Sequence, residues 1–307
     1  MTQHHEERPD NAMTGTTPRN PWDALIPTYE RWMEPCSAVL AKAALDQAAP
    51  SAGSAVLDVA AGTGALAVAA AERGHSVDAI DTSSAMVGRL TERLKPYSGC
   101  SAKVMDALDL RYGDDEFDAA FSILGVLDCG DQTTKALAEM VRVVRPGGVV
   151  SVAHWADPVG APFFTPLGRA INRLNDPGLG KFVAPLSEYL KQSEIEHALS
   201  QAGCHDVRLE SIQLQCVMPQ PETFVDELHP IFRMHPQYLT AVSLHRNRFR
   251  TILAEEVRAM ETGEHGHPIA RANIASALVT HDASQAKPSI IEAPHDLTRR
   301  RGPARHG

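Results

Sequence analysis

Residues 56–64 read Val-Leu-Asp-Val-Ala-Ala-Gly-Thr-Gly, and an alanine-rich stretch follows over residues 65–71. A short apolar run with an acid near its end, a turn of small residues and a run of helix formers predict a buried parallel strand, a tight loop and a helix. Gly62 and Gly64 let the backbone of this loop come close to a bound molecule. Asp58 is predicted at the carboxyl end of the strand, where open α/β sheets bind their ligands.

Strand and helix patterns alternate along the rest of the chain. Further strands are predicted at residues 76–80, 101–105, 117–124, 149–155, 207–217 and 272–279. Helices are predicted at about residues 84–95 and 131–144, between these strands. The pattern predicts an α/β fold: a doubly wound, mostly parallel seven-stranded sheet with helices on both faces and an antiparallel last strand.

Composition limits the classes of partner. The chain has 307 residues, 43% of them hydrophobic, and a formal net charge of −9, which supports a large core and argues against nucleic-acid binding. The five cysteines are scattered and form no Cys-x-x-Cys pair, so we expect no metal site and a reducing, cytoplasmic location. No apolar run reaches the roughly 20 residues that a membrane span needs.

We expect one catalytic domain with insertions. Residues 1–20 are expected to form a flexible N-terminal lead, residues 21–280 one domain, and residues 281–307 a disordered tail. Two helices separated by a break at Pro35 are predicted as an N-terminal lid, and insertions at about 156–200 and 219–268 as a substrate-selecting helical cap.

The acidic residues at the strand ends favour one class of ligand over another. Asp81 ends the second strand and is placed to accept hydrogen bonds from ribose hydroxyls, which suits both NAD and S-adenosylmethionine. Asp58 would repel a pyrophosphate but would attract a sulfonium and an ammonium group. Asp106, after the third strand, could accept a hydrogen bond from an adenine amino group. These charges favour S-adenosylmethionine.

Four motifs in order carry a family resemblance. Asp58-Val59-Ala60-Ala61-Gly62-Thr63-Gly64, Asp81, Met105-Asp106-Ala107 and Arg145-Pro146-Gly147-Gly148 resemble the motifs of class I S-adenosylmethionine-dependent methyltransferases, in particular the ubiquinone/menaquinone C-methyltransferase-like branch. The resemblance covers about residues 21–155, and Ala60 stands where the family more commonly has glycine.

The resemblance implies S-adenosylmethionine as cofactor, held by the loop after the first strand, the ends of strands two and three, and the segment after strand four. The implied cofactor-binding residues are Tyr29, Asp58, Ala60, Ala61, Gly62, Thr63, Gly64, Asp81, Thr82, Met86, Asp106, Ala107, Ser122, Ile123 and Leu124. The candidate acceptor pocket comprises Trp32, Val126, Trp155, Phe163, Phe164 and His229. His154, at the end of strand five, is the candidate general base, needed where the acceptor keeps a proton at neutral pH.

The predicted activity is methyl transfer to a small, partly apolar molecule by in-line displacement. An NAD(P)-linked oxidoreductase and a non-catalytic, cofactor-binding partner subunit are the alternatives. The sequence leaves the oligomeric state open, a homodimer included.

Overall fold

The structure is a computed structural model that describes residues 20–156, 161–180, 182, 191–263 and 266–280. The flexible lead expected at residues 1–20, apart from Asn20, and the disordered tail expected at residues 281–307 lie outside the described residues.

The strands form one mixed sheet. They are β1 (Ala55–Val59), β2 (Ser76–Asp81), β3 (Cys100–Val104), β4 (Phe117–Ile123), β5 (Val144–Trp155), β6 (Cys204–Gln215) and β7 (Ile269–Val279). Their order in the sheet is β3-β2-β1-β4-β5-β7-β6. β7 is antiparallel to both of its neighbours, β5 and β6, and the other neighbouring pairs of these strands are parallel. The predicted seven-stranded sheet with an antiparallel last strand is confirmed.

Helices cover both faces of the sheet. They are α1 (Ile26–Thr28), α2 (Glu34–Ala48), α3 (Ala65–Glu72), α4 (Ser84–Leu94), α5 (Thr133–Val143), α6 (Phe164–Arg173), α7 (Gln192–Gln201), α8 (Phe224–Phe232) and α9 (Pro236–Arg258). Leu40, Leu66 and Leu90 place α2, α3 and α4 on one face, whereas Leu137 and Leu199 place α5 and α7 on the other. No helix within the described ranges is long and apolar enough to span a bilayer.

The sheet brings the acidic motifs to one edge. β1 lies between β2 and β4, with Val59 beside Ile80 and Asp58 beside Phe121. Because parallel strands run in the same direction, their carboxyl ends lie at the same edge of the sheet. At this edge, ligand sites form where the connections after two neighbouring strands lead away from each other. Asp58 and Asp81 therefore lie near each other although they are distant in sequence.

The N-terminal helices differ from the prediction at Pro35. The chain does not break there, because Pro35 occupies the first turn of α2, where its missing N–H is tolerated. A π-helical turn over Tyr29–Met33 joins α1 to α2, and the Glu34 N–H bonds to the Tyr29 carbonyl across it. The π-helical turn therefore lets the helical segment continue through Pro35 without a break.

The insertions fold into helices that share the core of α2. Phe224 and Phe232 of α8 and Tyr238 and Phe249 of α9 are fully buried in it, and successive rings among them meet at centroid distances of 5.5 to 5.9 Å. Aromatic packing of this kind is worth about 0.5–1.5 kcal/mol per pair beyond area burial. The second insertion therefore contains two helices, α8 and α9, that pack into the same core as α2.

A buried carboxylate ties the N-terminal helices to the loop after β1. Glu34 is 9% exposed, and it accepts a hydrogen bond of 2.7 Å from the Thr63 hydroxyl. It also pairs with the Arg93 guanidinium, which donates to the Thr63 carbonyl at 2.9 Å. This triad joins α2, the loop and α4.

We expect Glu34→Gln to lower the free energy of unfolding by about 2 kcal/mol, because it leaves the half-buried Arg93 charge without its partner. Urea denaturation measures this change. The matched control is Glu30→Gln, which opens the more exposed Glu30–Arg89 pair and should lower the free energy of unfolding much less. Equal losses in the two variants would contradict the assigned role of Glu34.

Candidate functional site

A cavity of about 320 Å³ opens at the carboxyl edge of the sheet, between the motif loops and the N-terminal and inserted helices. Its size is typical of small-molecule sites. It is lined by Trp22, Tyr29, Met33, Ser37, Ala60, Gly62, Asp81, Thr82, Met86, Met105, Asp106, Ala107, Ile123, Leu124, Gly125, Val126, Asp128, Cys129, Trp155, Ala161, Pro162, Phe163 and Phe164. Motif residues thus share one cavity with aromatic side chains.

The loop after β1 takes left-handed backbone conformations. The φ angles are +59° at Ala60, +55° at Gly62 and +100° at Gly64. A Cβ at Gly62 would lie 3.1 Å from the Tyr29 hydroxyl, so glycine allows the loop and the π-turn to approach closely. Ala60 has a left-handed backbone conformation that glycine adopts more easily. This explains why the resembled family more commonly has glycine at this position.

Asp58 lies one layer behind the cavity. It is 1% exposed, and its Oδ2 accepts a hydrogen bond of 3.0 Å from the Ala67 N–H in the first turn of α3. Burial raises the pKa of Asp58 to about 7, since the Ala67 bond offsets burial only in part and the nearby Asp81 charge adds to it. Its carboxyl group therefore anchors the first turn of α3. When this group is ionised, it places a negative charge behind the loop after β1.

Asp81 is part of the cavity wall. One of its carboxylate oxygens accepts from the Gly62 N–H at 2.9 Å, and the other accepts from the Ser83 N–H at 2.9 Å. Burial raises the pKa of Asp81 above its usual range, although these N–H bonds favour the charged form. Each oxygen has capacity for a further hydrogen bond. The carboxylate is thus oriented by the backbone and presented to the cavity.

The loop after β4 is joined to β1. The Ser122 hydroxyl donates to the Val59 carbonyl at 2.9 Å and accepts from the Val126 N–H at 3.0 Å. A Cβ at Gly125 would lie 2.5 Å from the Cβ of Ala60. The two loops therefore meet so closely that only glycine fits at this point.

The structure brings many of the predicted site residues together at the cavity. Those that line it are Tyr29, Ala60, Gly62, Asp81, Thr82, Met86, Asp106, Ala107, Ile123, Leu124, Val126, Trp155, Phe163 and Phe164. Those that do not line it are Trp32, Asp58, Ala61, Thr63, Gly64, Ser122, His154 and His229. Trp32 packs into the core under the Arg31 guanidinium, and His229 bonds to the Tyr238 hydroxyl at 2.7 Å.

His154 is completely buried, and a carboxylate stands between it and the cavity. Its Nε2 lies 2.9 Å from Oδ1 of Asp128, and its Nδ1 lies 3.0 Å from the Trp155 carbonyl oxygen. Burial alone would lower the pKa of His154, but the hydrogen bond and charge of Asp128 outweigh burial, so the pKa is raised. Asp128 is the member of this pair that reaches the cavity.

Sequence reasoning missed several lining residues, among them Trp22, Ser37, Asp128 and Cys129. For Trp22 a signal existed, because its aromatic spacing with Tyr29 matched a helix face, and the two rings meet edge to face at 6.3 Å. Asp128 carried no local signal, since its contact with His154 joins two separate strand ends.

The side chains that line the cavity include acidic residues but, among those described, no basic ones. Asp81, Asp106 and Asp128 contribute carboxyl groups, and none of the described lining residues is Lys, Arg or His. Within the described part of the chain, no cluster of three or more His, Cys, Asp and Glu side chains could hold a metal ion. Asp128 is paired with the buried His154, whereas within the described ranges no salt bridge joins Asp81 or Asp106 to a basic residue. Two such carboxyl groups suit a cationic ligand and oppose a diphosphate. The residues present therefore fit S-adenosylmethionine.

Relatives share the motif-bearing half of the chain. Residues 56–148 match a methyltransferase domain family. A demethylmenaquinone methyltransferase of Renibacterium salmoninarum is 40% identical over 113 residues, or 37% of this chain, and the chain spans 46% of that relative's length. A demethylmenaquinone methyltransferase of Mycobacterium bovis is 34% identical over 167 residues, or 51% of this chain and 68% of the relative.

A solved structure shares the fold. Phosphoethanolamine N-methyltransferase 2 of Haemonchus contortus, bound to phosphomonomethylethanolamine and S-adenosylhomocysteine, matches with a TM-score of 0.52 and 19% identity. The match covers 84% of this chain and 57% of that one. Motif order, sheet topology and these relatives all indicate the same family. The chain belongs to the class I S-adenosylmethionine-dependent methyltransferases, enzymes whose cofactor is S-adenosylmethionine.

Proposed function

We propose that this protein transfers a methyl group from S-adenosylmethionine to a small, partly apolar acceptor by in-line displacement. The observation that carries the proposal is a single cavity in which the Asp81 and Asp106 carboxyl groups face aromatic side chains without a basic residue among the described lining. The carboxyl groups suit a cationic nucleoside, and the aromatic side chains suit an apolar acceptor.

The residues of the sheet edge are proposed to hold the cofactor. Asp81 would accept hydrogen bonds from the ribose hydroxyls, and the loop at residues 60–64 would support the amino-acid end. Thr82, Met86, Asp106 and Ala107 would surround the adenine. When bound, the cofactor supplies a methyl carbon already activated by its sulfonium.

The protein's own contribution is placement and exclusion of water. Trp155, Phe163 and Phe164 are proposed to hold the acceptor ring or chain against the segment Ile123–Val126. The N-terminal helices close the other side, with Tyr29 beside Gly62. Holding two reactants in line converts a bimolecular step into an effectively unimolecular one, which can supply about 7–11 kcal/mol of the barrier.

Two relatives bear the name demethylmenaquinone methyltransferase, which supports an aromatic or quinone-like acceptor and the ubiquinone/menaquinone branch. All five cysteines are free, which supports a cytoplasmic location. We propose one catalytic domain over residues 21–280 that carries both insertions.

Calorimetry with S-adenosylhomocysteine and with NAD tests the cofactor, and transfer of labelled methyl to quinols, phenols, amines and fatty acids tests the activity. We expect S-adenosylhomocysteine to bind and at least one of these acceptors to be methylated. Tight binding of NAD without S-adenosylhomocysteine would favour the oxidoreductase alternative. Binding of the cofactor without transfer to any acceptor would favour the partner-subunit alternative.

Asp81→Asn should weaken S-adenosylhomocysteine binding by about tenfold to a hundredfold, because hydrogen bonds to a charged acceptor are worth about 1.5–3 kcal/mol. Calorimetry measures the dissociation constant. Asp78→Asn is the matched control on the same strand, since Asp78 pairs with Lys103 away from the cavity. If the control weakened binding as much as Asp81→Asn, the ribose contact would be disproved.

The affinity for S-adenosylhomocysteine should fall by up to about tenfold between pH 8 and pH 6. Below its pKa of about 7, Asp58 is protonated, and a cationic amino-acid end must then displace that proton to gain the charge interaction. Calorimetry across this range measures the effect. Asp58→Asn should flatten the dependence.

Adenosine, which lacks the amino-acid end, is the ligand control for this titration. Its pH dependence reports the titratable groups of the cavity other than Asp58, so the difference between the two ligands isolates Asp58. A pH dependence equal for both ligands would refute the role of Asp58.

A further inference from the structure

The hydrogen bonds of His154 determine how many protons it shares with Asp128. The Trp155 carbonyl can only accept, so the imidazole Nδ1 at 3.0 Å must carry a hydrogen. The 2.9 Å contact between Nε2 and Oδ1 of Asp128 then needs a second proton between those atoms. Together the two bonds require the pair to hold two protons.

The second proton resides on the imidazole. The bond and charge of Asp128 raise the pKa of His154 despite complete burial, which favours an imidazolium beside a carboxylate. Cys129, next to Asp128 in the chain, has a thiol pKa raised by burial and by the charges of Asp128 and Asp106, so this thiol stays neutral. Across the sheet His154 faces Asn273, which carries no charge. The pair is therefore an ion pair with no net charge.

Only the carboxylate of this ion pair is available to a ligand. Asp128 lines the cavity, and its side chain is 12% exposed, whereas His154 is 0% exposed. No hydrogen bond reaches Oδ2 of Asp128 from the described residues. With respect to the described part of the chain, this oxygen keeps its capacity to accept a hydrogen bond.

Its position is on the acceptor side of the cavity. Asp128 follows β4 and contacts the end of β5, whereas Asp81 ends β2, on the other side of β1. The lining residues at the end of β5 and after it are Trp155, Ala161, Pro162, Phe163 and Phe164. One charged acceptor thus stands beside a wall of aromatic rings.

We propose that Asp128 is the catalytic base of this enzyme, that buried His154 is a positioning residue which holds it ionised, and that the acceptor is a neutral aromatic ring bearing a hydroxyl group. This inference rests on the methyltransferase function proposed above. The sequence had instead predicted His154 itself as the base that takes the proton from the acceptor.

The net charge of the pair selects the class of acceptor. A carboxylate already paired with an imidazolium exerts little field on a cationic amine, but its free oxygen accepts a hydrogen bond from a neutral hydroxyl. In the step, the O–H bond breaks and its proton goes to Oδ2 of Asp128. The hydroxyl oxygen uses the released electron pair to bond the methyl carbon, and the carbon–sulfur pair stays on sulfur. Charges balance, because one carboxylate and one sulfonium are both neutralised.

Nitrogen NMR of protein labelled at histidine tests the proton count without an acceptor. With S-adenosylhomocysteine bound at pH 7.5, about one unit above the ordinary histidine pKa, both ring nitrogens of His154 should be protonated. In Asp128→Asn only one should be. A singly protonated His154 in the unsubstituted protein would overturn the assignment.

Binding of 1-naphthol to the S-adenosylhomocysteine complex tests the acceptor class, with (1-naphthyl)methylamine as the cationic probe of the same ring. Calorimetry should show 1-naphthol bound more tightly than the amine, and Asp128→Asn should weaken it about tenfold or more. Asp131→Asn, which removes an equal charge from an exposed neighbouring turn, should leave both affinities unchanged. Failure of 1-naphthol to bind, or preference for the amine, would overturn the aromatic hydroxyl class.

With 1-naphthol or another phenol as methyl acceptor, Asp128→Asn should lower kcat about a hundredfold, and Asp128→Glu should restore part of it. Circular dichroism should show that both variants are folded, and their affinity for S-adenosylhomocysteine should stay close to that of the unsubstituted protein. An unchanged kcat would refute the base role alone, whereas loss of cofactor binding in the unsubstituted protein would refute the proposed function itself.

Discussion

Two carboxylates, the buried Asp58 and the half-buried Asp81, hold the backbone around which the site is built. Asp58 accepts the Ala67 N–H at the start of α3, and Asp81 accepts the Gly62 N–H in the loop between them. A loop that must stay open to a ligand cannot pair these N–H groups with another strand, so side chains satisfy them. Burial raises the pKa of both acids, and a cationic ligand relieves that cost. The same bonds therefore shape the loop and prepare its charge.

The rest of the cavity is built by segments outside the sheet. Glu34 ties α2 to Thr63 and Arg93, so the N-terminal helices are anchored to the very loop that they cover. The insertions add Phe163 and Phe164 on the other side, supported by the aromatic core of α8 and α9. The sheet edge thus provides the acidic wall and the appended helices provide the apolar wall. This division lets one part bind a fixed cofactor while the other selects an acceptor.

The Asp128–His154 pair joins the two walls. The Asp128 carboxyl group lines the cavity, and the fully buried His154 ring lies behind it. The imidazolium behind it supplies a compensating charge, and the Trp155 carbonyl orients the ring. The pair follows the rule that a buried charge needs a partner and satisfied hydrogen bonds.

The sequence by itself determined the order of strands and helices, the motif at residues 56–64 and the acids at the strand ends, because local hydrophobic period and small-residue turns specify them. Tertiary structure decided the rest. β6 begins at Cys204, not near residue 207, since its pairing with β7 sets its length, and the π-turn before α2 accommodates Pro35. Asp128 became recognisable only when β4 and β5 brought it to His154. Such contacts depend on which strands are neighbours, and no local pattern encodes that.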